Sequence, residues 1–267
     1  MSVHGDLEWP VRLETLLRLA WAWARVPRLP APPAPAGVVP GGPPPLNLAG
    51  FGDSIIAGIG VAAQADGLVG RVAAHLAQGG REVRWRGVGV SGATGGMLAG
   101  LLDTPLESDP HVILVSCGVN DVVRGRPPQQ LAREFTQFLR RARARWPYAL
   151  VVHAGVPPLE SFPALAGRLG QVLGRHGRSC IAALRAAATE SGALYVAFPA
   201  EVGRTEFSRD GFHPNELGCA IWAGFVARAI ESAGLGACAA RAPVPAGGEP
   251  HGAALAPHLP WPHGGSL

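Results

Sequence analysis

The stretch Leu46-Asn47-Leu48-Ala49-Gly50-Phe51-Gly52-Asp53-Ser54-Ile55 decides the fold class. Its apolar first part predicts a strand that ends at a glycine, and Ser54 follows at once in a loop that also holds Gly58 and Gly60. Glycines let the backbone turn sharply and a substrate approach closely, so this position suits a nucleophile. The pattern is not the G-x-S-x-G elbow, because Ile56 stands where the second glycine belongs. Alone, the Gly-Asp-Ser tripeptide also fits an ordinary surface turn, so its meaning depends on partners elsewhere.

From residue 46 onward, strand-like and helix-like segments alternate. The predicted strands are 46–51, 82–90, 111–117, 149–154 and 193–198. The predicted helices are 66–78, 95–102, 127–145, a long segment after 154, and 214–233. Asp66 is the predicted N-cap of the first helix, a break near Gly174 and Gly177 is predicted in the long segment, and Pro214 is predicted at the first position of the last helix. Five strands that alternate with helices predict a five-stranded parallel sheet covered on both faces. In such sheets ligands bind beyond the carboxyl ends of the strands.

Charge and cysteine usage exclude several classes of function. The 267 residues carry a formal charge of +4 and a pI near 9.3, but all 23 basic residues are arginine. We therefore attribute the pI to biased composition and expect no nucleic-acid partner, with a phosphate-facing patch along 133–145 as the alternative to a solvated helix face. Without lysine, neither a P-loop lysine nor Schiff-base chemistry is available. The four cysteines lack zinc-site spacing, and we expect no metal or cofactor.

The two ends of the chain differ from its centre. Residues 1–45 are predicted to form an amphipathic leader helix at 9–25 and a proline-rich linker, with compact structure from Leu46 through residue 238. Residues 239–267 are of low complexity and predicted to be disordered. The leader helix could pack on the domain, lie in a membrane interface or be cleaved. A signal peptide carries positive charge before its apolar segment, whereas acidic residues precede this helix. We therefore expect a cytoplasmic protein, or one peripheral at the inner membrane surface, more than a secreted one. The sequence does not define the oligomeric state.

Candidate functional residues follow four of the predicted strands. Ser54 follows the first, Gly92 the second and Asn120 the third, while Asp210 and His213 follow the fifth. A serine hydroxyl needs a general base, which a neutral histidine supplies, and a carboxylate fixes the tautomer of that histidine. A developing oxyanion needs fixed donors, which a glycine N–H and an asparagine amide supply. Parallel topology brings these strand ends to one edge of the sheet.

Together these blocks carry a family resemblance. Gly-Asp-Ser, a glycine after the second strand, Gly-x-Asn-Asp and Asp-x-x-His-Pro occur in the order of the SGNH hydrolases, or GDSL esterases/lipases, which residues 46–233 resemble. The resemblance implies a flavodoxin-like three-layer α/β/α sandwich and serine-dependent ester hydrolysis without a metal. It implies Ser54 as nucleophile, His213 as base and Asp210 as its partner. It also implies that the N–H groups of Ser54 and Gly92, together with the Asn120 amide, form the oxyanion hole.

Two other functions remain open at this stage. The Gly-Asp and Gly-x-Asn-Asp loops superficially suit a metal-dependent phosphoesterase, although the chain lacks the early D-x-H and clustered histidines of such enzymes. A catalytically silent binding module could also use this fold. The expected partner is a small-molecule acyl ester of undefined chain length. We predict that Phe162, Leu165 and Leu169 form a wall for its acyl chain, because they follow the fourth strand.

Overall fold

A single six-stranded sheet forms the centre of the protein. The computed structural model describes residues 27–165 and 167–234. In chain order the strands are β1 (Ala36–Val39), β2 (Gly42–Gly52), β3 (Arg81–Gly89), β4 (Val112–Ser116), β5 (Leu150–His153) and β6 (Leu194–Tyr195). Their spatial order is β1-β3-β2-β4-β5-β6, and every neighbouring pair is parallel except β1 with β3. The predicted five-stranded parallel sheet is therefore confirmed, and an antiparallel edge strand extends it.

Helices cover both faces of this sheet. They are α1 (Leu68–Leu76), α2 (Gly95–Leu101), α3 (Val119–Val123), α4 (Pro128–Arg145), α5 (Arg168–Glu190) and α6 (Glu216–Ser232). Successive residues of a strand point to opposite faces, and β2 shows the consequence. Leu48 packs with α1 and α6 on one face, whereas Ala49 and Phe51 pack with α2, α4 and α5 on the other. The three-layer α/β/α prediction is confirmed.

The proline-rich segment belongs in part to the sheet, so the prediction that compact structure begins at Leu46 is wrong. Ala36–Val39 pairs with Val83–Arg86 of β3, and β2 already begins at Gly42. Proline has no N–H to donate to a sheet, and Ala36–Val39 itself contains none, since Pro35 and Pro40 flank it. The prolines around this short edge strand give the segment the composition of a linker, which explains the wrong prediction.

The residues before β1 lie against the folded domain. Gln64 Nε2 donates hydrogen bonds to the carbonyl oxygens of Ala57, at 2.8 Å, and of Pro32, at 3.3 Å. Residues 29–33 form one wall of a groove of about 750 Å³, and residues 208, 209, 215 and 216 contribute to the opposite wall. The amino-terminal end of the described chain therefore lies beside the loop that carries Asp210 and His213.

Three predicted helix features are wrong. Helix α5 continues through Gly174 and Gly177. Gly174 lets the turn that carries Glu160 approach, since a Cβ there would collide with the Glu160 carboxylate, whereas a Cβ at Gly177 would meet only ordinary contacts. Helix α1 begins after Gly67, while Asp66 closes a preceding 3-10 turn. Helix α6 begins after Asn215, whose side-chain oxygen accepts a hydrogen bond from Gly218 N at 3.0 Å, so Pro214 precedes the cap.

Two predictions fall on residues outside the described ranges. These are the leader helix at 9–25 and the disordered tail at 239–267. No helix in the part of the chain that the structure describes combines the length and hydropathy needed to cross a membrane.

Candidate active site

Ser54 lies immediately beyond the carboxyl end of β2. The Asp53 N–H donates to the Ser116 carbonyl oxygen of neighbouring β4 at 3.1 Å, and the Val90 N–H donates to the Gly52 carbonyl oxygen at 3.0 Å. These bonds connect the loops that follow β2, β3 and β4. Because the three strands are parallel neighbours, their following loops share one edge of the sheet.

His213 connects Ser54 to Asp210. Its Nε2 lies 2.9 Å from Ser54 Oγ, and its Nδ1 lies 2.6 Å from Asp210 Oδ2. A tight turn, in which Gly211 has φ of +64° and its N–H donates to the Ser208 carbonyl oxygen, presents both side chains on one side. The structure therefore brings together the three residues that the sequence pattern selected. This is the geometry of a serine activated by a histidine that a carboxylate orients.

The Asp210 carboxylate is held ionised by its hydrogen bonds. Its Oδ1 accepts from Ser208 Oγ at 2.7 Å, from Phe212 N at 2.9 Å and from His213 N at 3.0 Å. Burial acts to raise the pKa of Asp210, but the hydrogen bonds from His213 and Phe212 outweigh it and lower the pKa from 3.8 to about 2. Ser208 is a supporting residue that the sequence analysis missed; its place two residues before Asp210 is the only sequence signal for it.

Two further loops place hydrogen-bond donors near Ser54. Gly92 follows β3 with φ of +79°, and Asn120 lies in α3, which begins directly after the loop following β4. Asn120 Nδ2 donates to the Ala93 carbonyl oxygen at 2.9 Å and retains a second hydrogen. Among the described residues, no atom accepts a hydrogen bond from the N–H of Ser54 or of Gly92. These two N–H groups and the second Asn120 hydrogen therefore have no acceptor among the described residues.

Asp121 fixes the two donor loops relative to each other. Its carboxylate accepts from Gly95 N, at 3.0 Å to Oδ2, and from Arg126 Nη1, at 2.8 Å to Oδ1. Arg126 in turn donates to Glu134 at 2.6 Å. Burial raises the pKa of Asp121. Because Gly95 follows the Gly92 loop and Asp121 follows Asn120, this buried carboxylate joins them directly.

Asp53 has a different environment from Asp210. Its Oδ1 accepts from Ile55 N at 3.1 Å and from Ser116 Oγ at 3.0 Å, and the residue is only 1% exposed. Burial raises the pKa of Asp53 from 3.8 to about 6, and these two hydrogen bonds only partly oppose it. Through these two bonds the carboxylate organises the loop that carries Ser54.

A small apolar pocket adjoins Ser54 and His213. Phe162 lines it, as predicted, together with residues that the sequence analysis missed: Ile55, Val119, Pro157, Phe198, Phe207, Phe212 and Pro214. Leu165 and Leu169 do not line this pocket, because both are buried in the core between the sheet and α5. Phe212, inside the Asp-Gly-Phe-His block, was detectable from sequence, whereas Phe198 and Phe207 lie in no motif.

Comparison with known proteins decides the family. The model of the GDSL-like lipase/acylhydrolase family matches residues 51–221. The chain belongs to this family. It is therefore an ester hydrolase, and membership favours this function over the phosphoesterase and the silent binding module. The matched region begins within β2, so β1 and the proline-rich segment before it lie outside the family match.

Individual relatives of this GDSL-like hydrolase agree with the assignment. Esterase TesA of Pseudomonas aeruginosa is 29% identical over 172 residues, which cover 61% of this chain and 77% of the relative. A crystal structure of TesA superimposes with a TM-score of 0.58 at 25% identity, covering 70% of this chain and 98% of that one. The esterase EstA from Pseudoalteromonas sp. shares the fold, with a TM-score of 0.56 at 19% identity over 70% of this chain and 97% of that one.

Within residues 27–165 and 167–234, no group of three or more histidine, cysteine, aspartate or glutamate side chains is arranged to hold a metal ion.

Proposed function

We propose that this GDSL-like hydrolase is a serine esterase that cleaves carboxylic esters through an acyl-enzyme on Ser54. The observation that carries the proposal is the position of His213, with Nε2 2.9 Å from Ser54 Oγ and Nδ1 2.6 Å from Asp210 Oδ2. In this role His213 is the general base, and Asp210 holds its tautomer and stabilises the imidazolium.

Acylation begins when Ser54 Oγ attacks the ester carbonyl carbon while its proton moves to His213 Nε2. The carbonyl oxygen becomes an oxyanion and accepts hydrogen bonds from the N–H groups of Ser54 and Gly92 and from Asn120 Nδ2. When the tetrahedral intermediate collapses, the bond to the alcohol oxygen breaks. His213 gives its proton to that oxygen, and the alcohol leaves.

Deacylation repeats the same steps with water. A water molecule attacks the acyl carbonyl carbon while His213 takes one of its protons. Collapse breaks the bond to Ser54 Oγ, which recovers its proton from His213, and the carboxylic acid leaves. Asp210 remains ionised throughout, in agreement with its pKa of about 2.

The test is covalent labelling of the nucleophile. An alkyl phosphonate ester should modify Ser54, identified by peptide mass spectrometry, and abolish hydrolysis of p-nitrophenyl acetate. Ser54→Ala should lower kcat by about five to six orders of magnitude, because members of such a triad act as a unit. The matched control is Ser191→Ala at the end of α5, which should retain full activity.

Two results would refute the proposal. One is labelling of another residue; the other is Ser54→Ala activity within tenfold of the unmodified protein. Dialysis against EDTA tests the metal-dependent alternative in the same assay, since loss of activity that added metal restores would replace the serine mechanism.

A further inference from the structure

The pocket beside Ser54 is narrow and apolar, and this bears on which ester the enzyme takes. Its walls are aromatic and aliphatic side chains, and its polar members are Asp53, Ser54 and His213. The alcohol must leave before water attacks the acyl-enzyme, so the alcohol needs an open path, whereas the acyl group stays on Ser54. If Ser54 is the nucleophile proposed above, the narrow pocket therefore holds the acyl group.

Three phenylalanine rings that contact one another line this pocket. Phe162 lies at their centre, with its ring 5.2 Å from that of Phe207 and 5.0 Å from that of Phe212, measured between centroids. All three are at most 7% exposed. The remaining volume is about 10 Å³, and a cavity needs roughly 10–15 Å³ on this measure to hold one water molecule. A methyl group is of similar size, so the space fits one methyl and little more.

The pocket cannot widen without disturbing the loop that carries Asp210 and His213. Phe162 lies between two 3-10 turns, Leu159–Ser161 and Pro163–Leu165. The Ala164 N–H donates to the Gly211 carbonyl oxygen at 2.9 Å, which joins the second turn to the loop between Asp210 and His213. A displacement of Phe162 outward therefore pulls on the turn that positions His213. Overpacked sites resist such expansion because neighbouring side chains must leave their preferred rotamers.

We propose that the enzyme acts on acetate esters and that the Phe162 ring sets the limit on acyl length. An acetyl methyl fits the free volume, whereas each further methylene must displace an aromatic ring. The lining has no arginine and no unpaired polar side chain apart from the reacting groups, so it offers nothing to a charged or hydroxylated acyl group. Phe162 is thus a specificity-determining residue for the acyl side of the substrate.

The experiment measures kcat/KM for the p-nitrophenyl esters of acetate, butyrate and octanoate. One methylene in an apolar pocket changes kcat/KM by about 10- to 200-fold, so the unmodified enzyme should prefer acetate to butyrate by at least about tenfold. Phe162→Ala should raise the butyrate-to-acetate ratio by at least about tenfold, and Phe162→Leu by less. Comparing ratios between variants cancels the intrinsic reactivity of each ester.

The control is Phe225→Ala on α6, where the ring stacks on Arg228 at 4.5 Å, away from the pocket; its ratio should equal that of the unmodified enzyme. Equal rates on octanoate and acetate in the unmodified enzyme would overturn the inference without any variant. Active Phe162→Ala or Phe162→Leu enzymes with unchanged ratios would overturn it as well. Efficient hydrolysis of long-chain esters that still requires Ser54 would refute only the preference for acetate esters. Hydrolysis that does not require Ser54 would refute the proposed serine esterase function itself.

Discussion

Replacing Asp210 by asparagine tests both the electrostatics and the chemistry of the site. Asp210 Oδ1 accepts three hydrogen bonds, two of them from backbone N–H groups, so the amide oxygen of asparagine should take this position. The amide NH₂ then faces His213 Nδ1, which must accept a hydrogen bond. The imidazole proton therefore moves to Nε2, where the ring can no longer receive the proton of Ser54 Oγ.

The expected loss of kcat/KM on p-nitrophenyl acetate is about 10⁴-fold, typical of this change in Ser-His-Asp sites. That loss corresponds to about 5.5 kcal/mol of transition-state stabilisation, at 1.36 kcal/mol for each factor of ten. The reaction should still require Ser54, because only the orientation of the base has changed.

The same variant should lose stability in a pH-dependent way. The pKa of Asp210 falls from 3.8 to about 2 on folding, which at 1.36 kcal/mol per pH unit is about 2 kcal/mol. A depressed carboxyl pKa stabilises the folded state above the unfolded value and loses that effect as the pH falls through the folded value. The stability gap between the unmodified protein and Asp210→Asn should therefore be about 2 kcal/mol at pH 7 and shrink between pH 4 and pH 2.

Urea unfolding at pH 7 and pH 3, with the activity assay at pH 7, measures both effects. Asp66→Asn is the matched control, since Asp66 pairs with Arg71 at 2.6 Å on the surface with its side chain 36% exposed. Exposed pairs contribute about 0–1 kcal/mol, so this variant should keep its activity. An Asp210→Asn enzyme within tenfold of full activity, or a stability gap that is constant across this pH range, would refute the reasoning.

Three further predictions use other parts of the molecule. Asn120→Ala should lower kcat by about 10²- to 10³-fold with little change in KM, because an oxyanion donor acts mainly in the transition state; a change confined to KM would contradict this role. Asp53→Asn should gain stability relative to the unmodified protein as the pH rises. The pKa of Asp53 is about 6 in the folded protein against an ordinary value of 3.8, so ionisation of Asp53 costs the folded state about 3 kcal/mol above pH 6. If Asp53→Asn shifts the urea midpoint equally at pH 4.5 and at pH 8, this prediction is wrong. We also propose that residues 9–25 bind membrane surfaces, so protein lacking residues 1–26 should keep its esterase activity but no longer sediment with anionic vesicles; full-length protein that never sediments would end that proposal.

Local patterns in the sequence were sufficient to predict the candidate catalytic residues and most of the sheet. Ser54, Gly92 and Asn120 follow apolar runs, and the Asp-x-x-His-Pro block precedes the last helix, so strand-end topology alone predicts that they meet. The buried β4 could be recognised because its apolar run has no polar interruption.

The features that the sequence did not reveal depend on contacts between distant segments. β1 is a strand because it pairs with β3, some 45 residues further on, and nothing local distinguishes it from a linker. Gly174 lies inside the unbroken α5 and makes room for Glu160, a contact between segments that the local sequence does not show. Phe198 and Phe207 reach the pocket through tertiary packing, which no spacing in the sequence encodes.

The course of the chain at its two described ends has a practical consequence for attaching the enzyme to a surface. Residues 29–33 lie beside the catalytic loop, whereas α6 starts at that loop and runs 17 residues away from it, a distance of about 25 Å. Cargo attached at Pro27 would therefore be held beside the loop that carries Asp210 and His213, and cargo attached at Gly234 would be held about one helix length away from that loop. Attachment at Gly234 should leave bulky esters free access to Ser54, while attachment at Pro27 should bring this edge of the sheet against the support.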